Sequence, residues 1–116
     1  MTKEELQNRT KNFAVKVFQF LMNIEKKKET DVISNQLLRA SSSVAANYRA
    51  ACRGKSSADF LYKLKIVNGL FWLEFIDELE IKCNKDDIKL LILEANELVS
   101  IFTSSIKTLD SKIKKS

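Results

Sequence analysis

Three arginines, Arg39, Arg49 and Arg53, are the side chains best placed to do chemistry in this 116-residue sequence. At 100° per residue they fall within an ~80° arc of one helix and span about 21 Å along it. A guanidinium grips a phosphate with two parallel hydrogen bonds, so the stripe suits the backbone of RNA or DNA, with Lys55 adding a further cation. The same face carries Ser43, Ala46 and Ala50, which are small enough for another helix to pack over. On that second reading the arginines pair with Glu74, Asp77, Glu78 or Glu80 of a neighbouring subunit. The lysines at 26–28 and 112–115 read as solvated helix ends.

Catalytic chemistry finds little support. The sequence has no histidine, the commonest general base, and it lacks the G-x-S-x-G, P-loop and Rossmann glycine patterns. Ser41, Ser42 and Ser43 sit among alanines in mid-helix and read as small packing residues. Cys52 and Cys83 lack the spacing of a metal site or redox motif. Cys52 reads as a small core or interface residue, and a Cys52–Cys83 bridge is not expected because the two lie near opposite ends of the domain. The expectation is a protein that is not an enzyme and has neither metal nor cofactor.

The elements that hold these residues are helical. Proline is absent, glycine occurs only at 54 and 69, and 30% of residues are charged, a composition for long amphipathic helices in one domain, residues 1–116. Thr2 and Glu5 have capping-box spacing before helix 1, which runs to about Glu25 with Leu6, Phe13, Val17, Phe20, Leu21 and Ile24 on its apolar face. Thr30 or Asp31 caps helix 2, with core positions Ile33, Leu37, Val44, Tyr48 and Ala51 or Cys52, and Gly54 stops it. Ser56 or Ser57 caps helix 3, whose core stripe is expected at Phe60, Leu64, Val67 and Phe71. Asn84 caps helix 4, with Asp86 and Asp87 in its first turn and Ile88, Leu91, Ala95, Leu98, Phe102, Leu109 and Ile113 facing inward. The end from Lys112 is expected to fray. Short connections fold these four helices into an antiparallel up-down-up-down bundle.

Helix 3 is apolar nearly all round. Beyond its core stripe lies a second set, Ile66, Leu70 and Leu73, which is expected to form an oligomer interface. Charge is segregated as well. Residues 30–56 hold four basic side chains and one acidic, whereas residues 57–83 hold three basic and five acidic. That contrast fits either an anionic partner or complementary subunit surfaces. The N-terminus lacks a signal-peptide pattern and no apolar run reaches membrane-span length, so a cytoplasmic location without membrane contact is expected.

The segment Gln36-Leu37-Leu38-Arg39-Ala40-Ser41-Ser42-Ser43-Val44-Ala45-Ala46-Asn47-Tyr48-Arg49-Ala50-Ala51-Cys52-Arg53 resembles the bacterial four-helix-bundle proteins encoded in intervening sequences of large-subunit ribosomal RNA genes. The likeness extends to Arg9-Thr10-Lys11-Asn12-Phe13-Ala14, to Ser57–Val67 and Trp72-Leu73-Glu74, and to Glu94-Ala95-Asn96-Glu97-Leu98 and Ser105-Ile106-Lys107-Thr108. It implies a left-handed bundle assembled as a homopentameric ring. It also implies kinship with the accessory protein of diversity-generating retroelements, which binds nucleic acid and a reverse transcriptase. The expected partners are therefore further copies of the chain, RNA or DNA, and a protein partner such as a reverse transcriptase. One segment departs from the family pattern. Between Val67 and Trp72 about five acid-rich residues are missing, which would turn the following helix by ~140°, and Asn68-Gly69 is a candidate break.

Overall fold

The computed structural model of the chain describes residues 1–115 along the backbone, with side chains for residues 1–55 and 57–104. The candidate cap Ser56, the inward positions Leu109 and Ile113 and the lysine-rich end from Lys112 lie outside the described side chains. Four helices account for nearly all of the chain: α1 (Lys3–Met22), α2 (Lys28–Cys52), α3 (Ser56–Glu78) and α4 (Lys85–Lys115). No strand occurs among the described residues. α1 packs on α2 and α4, and α3 packs on the same two helices, closing a cycle within an envelope of 53 × 23 × 22 Å.

The helix boundaries follow from local hydrogen bonding. Thr2 Oγ1 accepts from Glu5 N at 3.1 Å and starts α1. α1 ends at Met22, earlier than its apolar pattern implies, because Glu25 is committed elsewhere: its N–H donates to Lys82 O at 2.9 Å. Its carbonyl accepts from Thr30 Oγ1 at 2.7 Å. These bonds join the α1–α2 connection to the α3–α4 connection. Thr30 is not itself the cap residue of α2. It occupies the third helical position and reaches back, accepting from Lys27 N at 2.8 Å, while Lys27 takes the cap position. Gly54 ends α2 at φ +87°, a conformation that side chains with a Cβ rarely adopt. Asn84 Oδ1 accepts from Asp87 N at 3.0 Å and starts α4, where Asp86 and Asp87 suit the positive end of the helix dipole.

The expected inner faces of α1, α2 and α4 are buried, from Leu6 and Phe13 through Leu37 and Val44 to Ile88 and Phe102. α3 differs from expectation in two ways. It runs unbroken through Asn68-Gly69. Its two apolar faces also exchange roles: Phe60, Leu64, Val67 and Phe71 are 68, 42, 50 and 54% exposed, while Ile66 and Leu73 are 1 and 0% exposed. The expected oligomer-interface residues Ile66 and Leu73 thus lie in the chain's own core, and Leu70 packs against that core half-buried. The reason lies in the small residues. Ala58 and Gly69 share the face of Tyr62, Ile66, Leu73 and Ile76, and Gly69 lies directly over Ala40 of α2. Small side chains let two helix backbones approach closely, so the face that carries them turns inward. Tyr62 completes this choice by packing edge-on to Tyr48 of α2 at 5.1 Å and to Phe102 of α4 at 4.7 Å.

A Cβ added at Gly69 would meet the Ala40 Cβ at 3.9 Å, an ordinary contact. Glycine inside a helix costs about 1 kcal/mol relative to alanine. Gly69→Ala should therefore raise stability by roughly 0.5–1 kcal/mol in urea unfolding; a loss of stability would show that the α2–α3 approach is tighter than this.

Candidate functional site

The outward side of α2 and the facing side of α1 form a groove that runs along both helices. At one end it encloses about 540 Å³ over a floor of Ala14, Ser42, Ala45, Ala46 and Ala50, with Val15 on the α1 wall. Four cations line this end: Lys11 on α1, Arg49 on α2, Arg53 at the C-terminal cap of α2, and Lys55 in the turn after it. All four are exposed, and no carboxylate pairs with any of them among the described residues. Toward the other end the walls are Phe18, Leu21 and Met22 of α1, Lys26 of the connection, and Asp31, Ser34, Asn35 and Leu38 of α2.

Arg39 does not join this cluster. Its side chain is exposed, but ten residues from Arg49 place it about 15 Å away along the helix, and it is not among the residues that line the groove. Of the four cations expected from sequence, the structure brings Arg49, Arg53 and Lys55 together and leaves Arg39 apart. Lys11 was missed because it belongs to another helix. Its signal was present as the outward α1 stripe Lys11, Val15, Phe18 and Met22, spaced for a helix face distinct from the core stripe.

The polar groups nearest to nucleophiles are occupied or protonated. Ser41 is buried and donates to Leu38 O, and Ser42 Oγ donates to the same carbonyl at 2.8 Å. Both cysteines are free thiols, and burial pushes the Cys83 thiol up, away from the reactive thiolate. Burial also raises the Tyr48 hydroxyl to about 12, with its hydrogen bond to Cys52 adding to the effect. Among the described residues no group of three or more Cys, Asp or Glu side chains could hold a metal ion, and no helix is long and apolar enough to cross a membrane.

A second groove, of about 610 Å³, separates α1 from α4 over Phe13, Phe20 and Leu91. It is bridged by Arg9, whose Nε donates to Glu94 Oε2 at 2.9 Å and whose Nη2 donates to Glu94 Oε1 at 2.6 Å and to Glu97 Oε2. The bridge joins two segments that are 85 residues apart in sequence. Both belong to the stretches that carry the family resemblance.

The pattern of the 23S rRNA-intervening sequence protein family matches residues 2–104. The chain belongs to that family. A crystal structure of a protein with unknown function, from the S23 ribosomal protein family of Bacteroides thetaiotaomicron VPI-5482, superposes with a TM-score of 0.74 at 22% identity. The match covers 92% of this chain and 99% of that one, and at this identity it shows a common fold. No curated protein matches the chain.

In this intervening-sequence protein the Arg9–Glu94 pair makes α1–α4 contact sensitive to acid. The hydrogen bond from Arg9 holds the Glu94 carboxyl below its ordinary range, and the same bond raises the Arg9 guanidinium. A carboxyl depressed on folding stabilises the protein above its unfolded pKa, and that contribution disappears as pH falls through the lower folded value. Glu94→Gln should cost on the order of 1 kcal/mol at neutral pH, since the pair is partly exposed. The difference from wild type should shrink toward zero as pH falls below the ordinary carboxylate range. Urea midpoints measured from pH 7 to pH 2.5 check this; a difference independent of pH would assign the loss to packing.

Proposed function

We propose that this chain is a non-enzymatic subunit of a homo-oligomeric ring, pentameric as the family resemblance implies, with its four helices running up-down-up-down and antiparallel. The observation that carries the assembly reading is the outward stripe of α3. Phe60, Leu64, Val67 and Phe71 lie within a 60° arc at helical spacing, opposite the buried face, with half or more of most of these side chains open to water. Contiguous apolar surface of this kind marks an interaction site. The antiparallel course is supported by the bond between the two connections at Glu25 and Lys82, and by the meeting of Tyr48, late in α2, with Tyr62, early in α3.

A second reading, nucleic-acid binding by the assembled ring, is favoured by the exposed cations. Arg39 is exposed and lines neither groove, and a ring would repeat it once per subunit, so that weak phosphate contacts gain effective concentration. Lys55 and whatever part of Arg49 and Arg53 stays open would contribute. The rival is an adaptor that binds a protein partner, for example a reverse transcriptase, through the same surfaces.

Sedimentation equilibrium should give about five times the chain mass of 13.3 kDa. The double variant Leu64→Glu, Val67→Glu should sediment as a monomer with its helical circular dichroism intact, because both side chains are exposed in the single chain. A wild type that stays monomeric at micromolar concentration would remove the assembly reading. For nucleic acid, log affinity should fall with log salt by about 0.9 per duplex phosphate contacted, and Arg39→Ala should reduce that slope. Absence of salt-sensitive binding to RNA and DNA at low ionic strength would leave the adaptor.

A further inference from the structure

The four cations of the α1–α2 groove gather at one end of it, and no acidic side chain lines the cavity they share. Such a grouping works against the fold. Arg49 and Arg53 stand four residues apart and repel each other, and Lys55 holds the N-terminal cap position of α3, the positive end of that helix, where a cation is unfavourable. The C-terminus of α2 favours its two arginines, but it accounts neither for Lys11 in mid-α1 nor for Lys55. Like charges set around one cavity without a counter-charge make a site that a bound anion stabilises.

We infer that this end of the groove takes the terminal phosphate of a nucleic-acid strand, a phosphomonoester, with the end nucleoside lying on the apolar floor. The inference rests on the nucleic-acid reading and names the group that is recognised. A phosphodiester backbone repeats one charge per nucleotide, so a protein that follows a strand along its length needs cations in file. This groove has none in file. Residues 40–48, which separate Arg39 from Arg49 by about 15 Å of helix, are all uncharged. At the far end Lys26 lies in a cavity that Asp31 also lines, and its Nζ already donates to Leu21 O at 3.0 Å.

A terminal monoester concentrates charge as this site does. It carries about −1.5 to −2 charges at neutral pH and three strong acceptor oxygens. Each guanidinium can grip two of those oxygens with parallel hydrogen bonds, while Lys11 and Lys55 act as point charges. The floor of Ala14, Ala45, Ala46 and Ala50, walled by Val15, offers no hydrogen-bonding side chain, so it holds a nucleoside by contact and selects no particular base. The α1–α4 groove is the contrasting case: Asp87, Glu94 and Glu97 line it, and its Arg9 is already engaged. An anion is repelled there.

Short single-stranded RNA and DNA oligonucleotides, each phosphorylated at both ends or at neither, test the site on the full chain by fluorescence anisotropy at low ionic strength. The phosphorylated strand should bind at least tenfold more tightly than its hydroxyl-ended twin. Arg49→Ala with Arg53→Ala, and separately Lys11→Gln on the other helix, should abolish that advantage with circular dichroism unchanged, because all three side chains are exposed. Arg39→Ala should weaken both strands alike and leave their ratio intact. The advantage should also shrink as pH falls from 7.5 to 5.5, since the monoester loses its second charge near pH 6 and the chain has no histidine to titrate there. Equal affinity for the two strands overturns the terminal-phosphate site while nucleic-acid binding stands. So does an advantage that survives the arginine and lysine variants, or one that does not change with pH. If neither strand binds, the nucleic-acid reading falls and the inference with it; a nucleoside monophosphate that binds in that case assigns the cavity to free nucleotides.

Discussion

A helix at the corner of a four-helix bundle can bury one face, and α3 carries apolar side chains on two. Everything distinctive about this chain follows from how that conflict resolves. Either face could supply enough hydrocarbon: Phe60, Leu64, Val67 and Phe71 offer as much as Tyr62, Ile66, Leu73 and Ile76. The selection is made by backbone approach. Gly69 over Ala40 lets α3 come close to α2, and Ala58 does the same near the start of the helix. Close approach brings Tyr48, Tyr62 and Phe102 into mutual ring contact across three helices. Turned the other way, α3 would set two phenylalanines against α2 and hold it off. The apolar face left outside is then a consequence of packing, and it is the surface that the proposed association would cover.

The connections show how little chain is used to hold these faces in register. Five residues separate α1 from α2, three separate α2 from α3 and six separate α3 from α4. Thr30 and Glu25 make the first of them rigid, because the threonine hydroxyl serves as acceptor for Lys27 N–H and donor to Glu25 carbonyl at once. Glu25 N–H then ties that connection to Lys82 in the third. Farther along the bundle, Arg9 holds α4 by hydrogen bonds to Glu94 and Glu97 across a gap that hydrophobic side chains fill incompletely. α1 is therefore fixed against α4 at two separated levels by polar contacts, while α2 and α3 are fixed by close packing.

Much of this was legible in the residues. Three of the four inner faces follow from 3.6-residue periodicity alone, since α1, α2 and α4 each have one apolar face, and Thr2, Gly54 and Asn84 mark boundaries by known local bonding. α3 could not be read the same way. A helix that is apolar on most sides has no periodic signal to choose between faces, and the pattern of small residues, which does choose, counts for little on a hydrophobicity scale. The Asn68-Gly69 pair likewise looks like a break in isolation, yet tertiary packing on both sides keeps the helix intact. At the candidate site, the Arg49–Arg53–Lys55 grouping was legible because it lies on one helix and the turn after it. Lys11 and the Arg9–Glu94 bridge required knowing which helices are neighbours, which periodicity does not supply.

For the proposed assembly, the magnitudes argue against a simple dimer. Fully burying a Leu, Val or Phe side chain is worth roughly 1.5–3 kcal/mol, but the four residues of the α3 stripe are already about half covered within the subunit. One such contact therefore contributes on the order of 4 kcal/mol gross, comparable to the lower estimates of the entropy lost on association, about 4–15 kcal/mol. Exposed ion pairs beside it would add at most about 1 kcal/mol each and weaken with salt. A single contact through the α3 stripe would be marginal by this reckoning. Closure into a ring changes the balance, because the last subunit to enter makes two contacts for one loss of freedom.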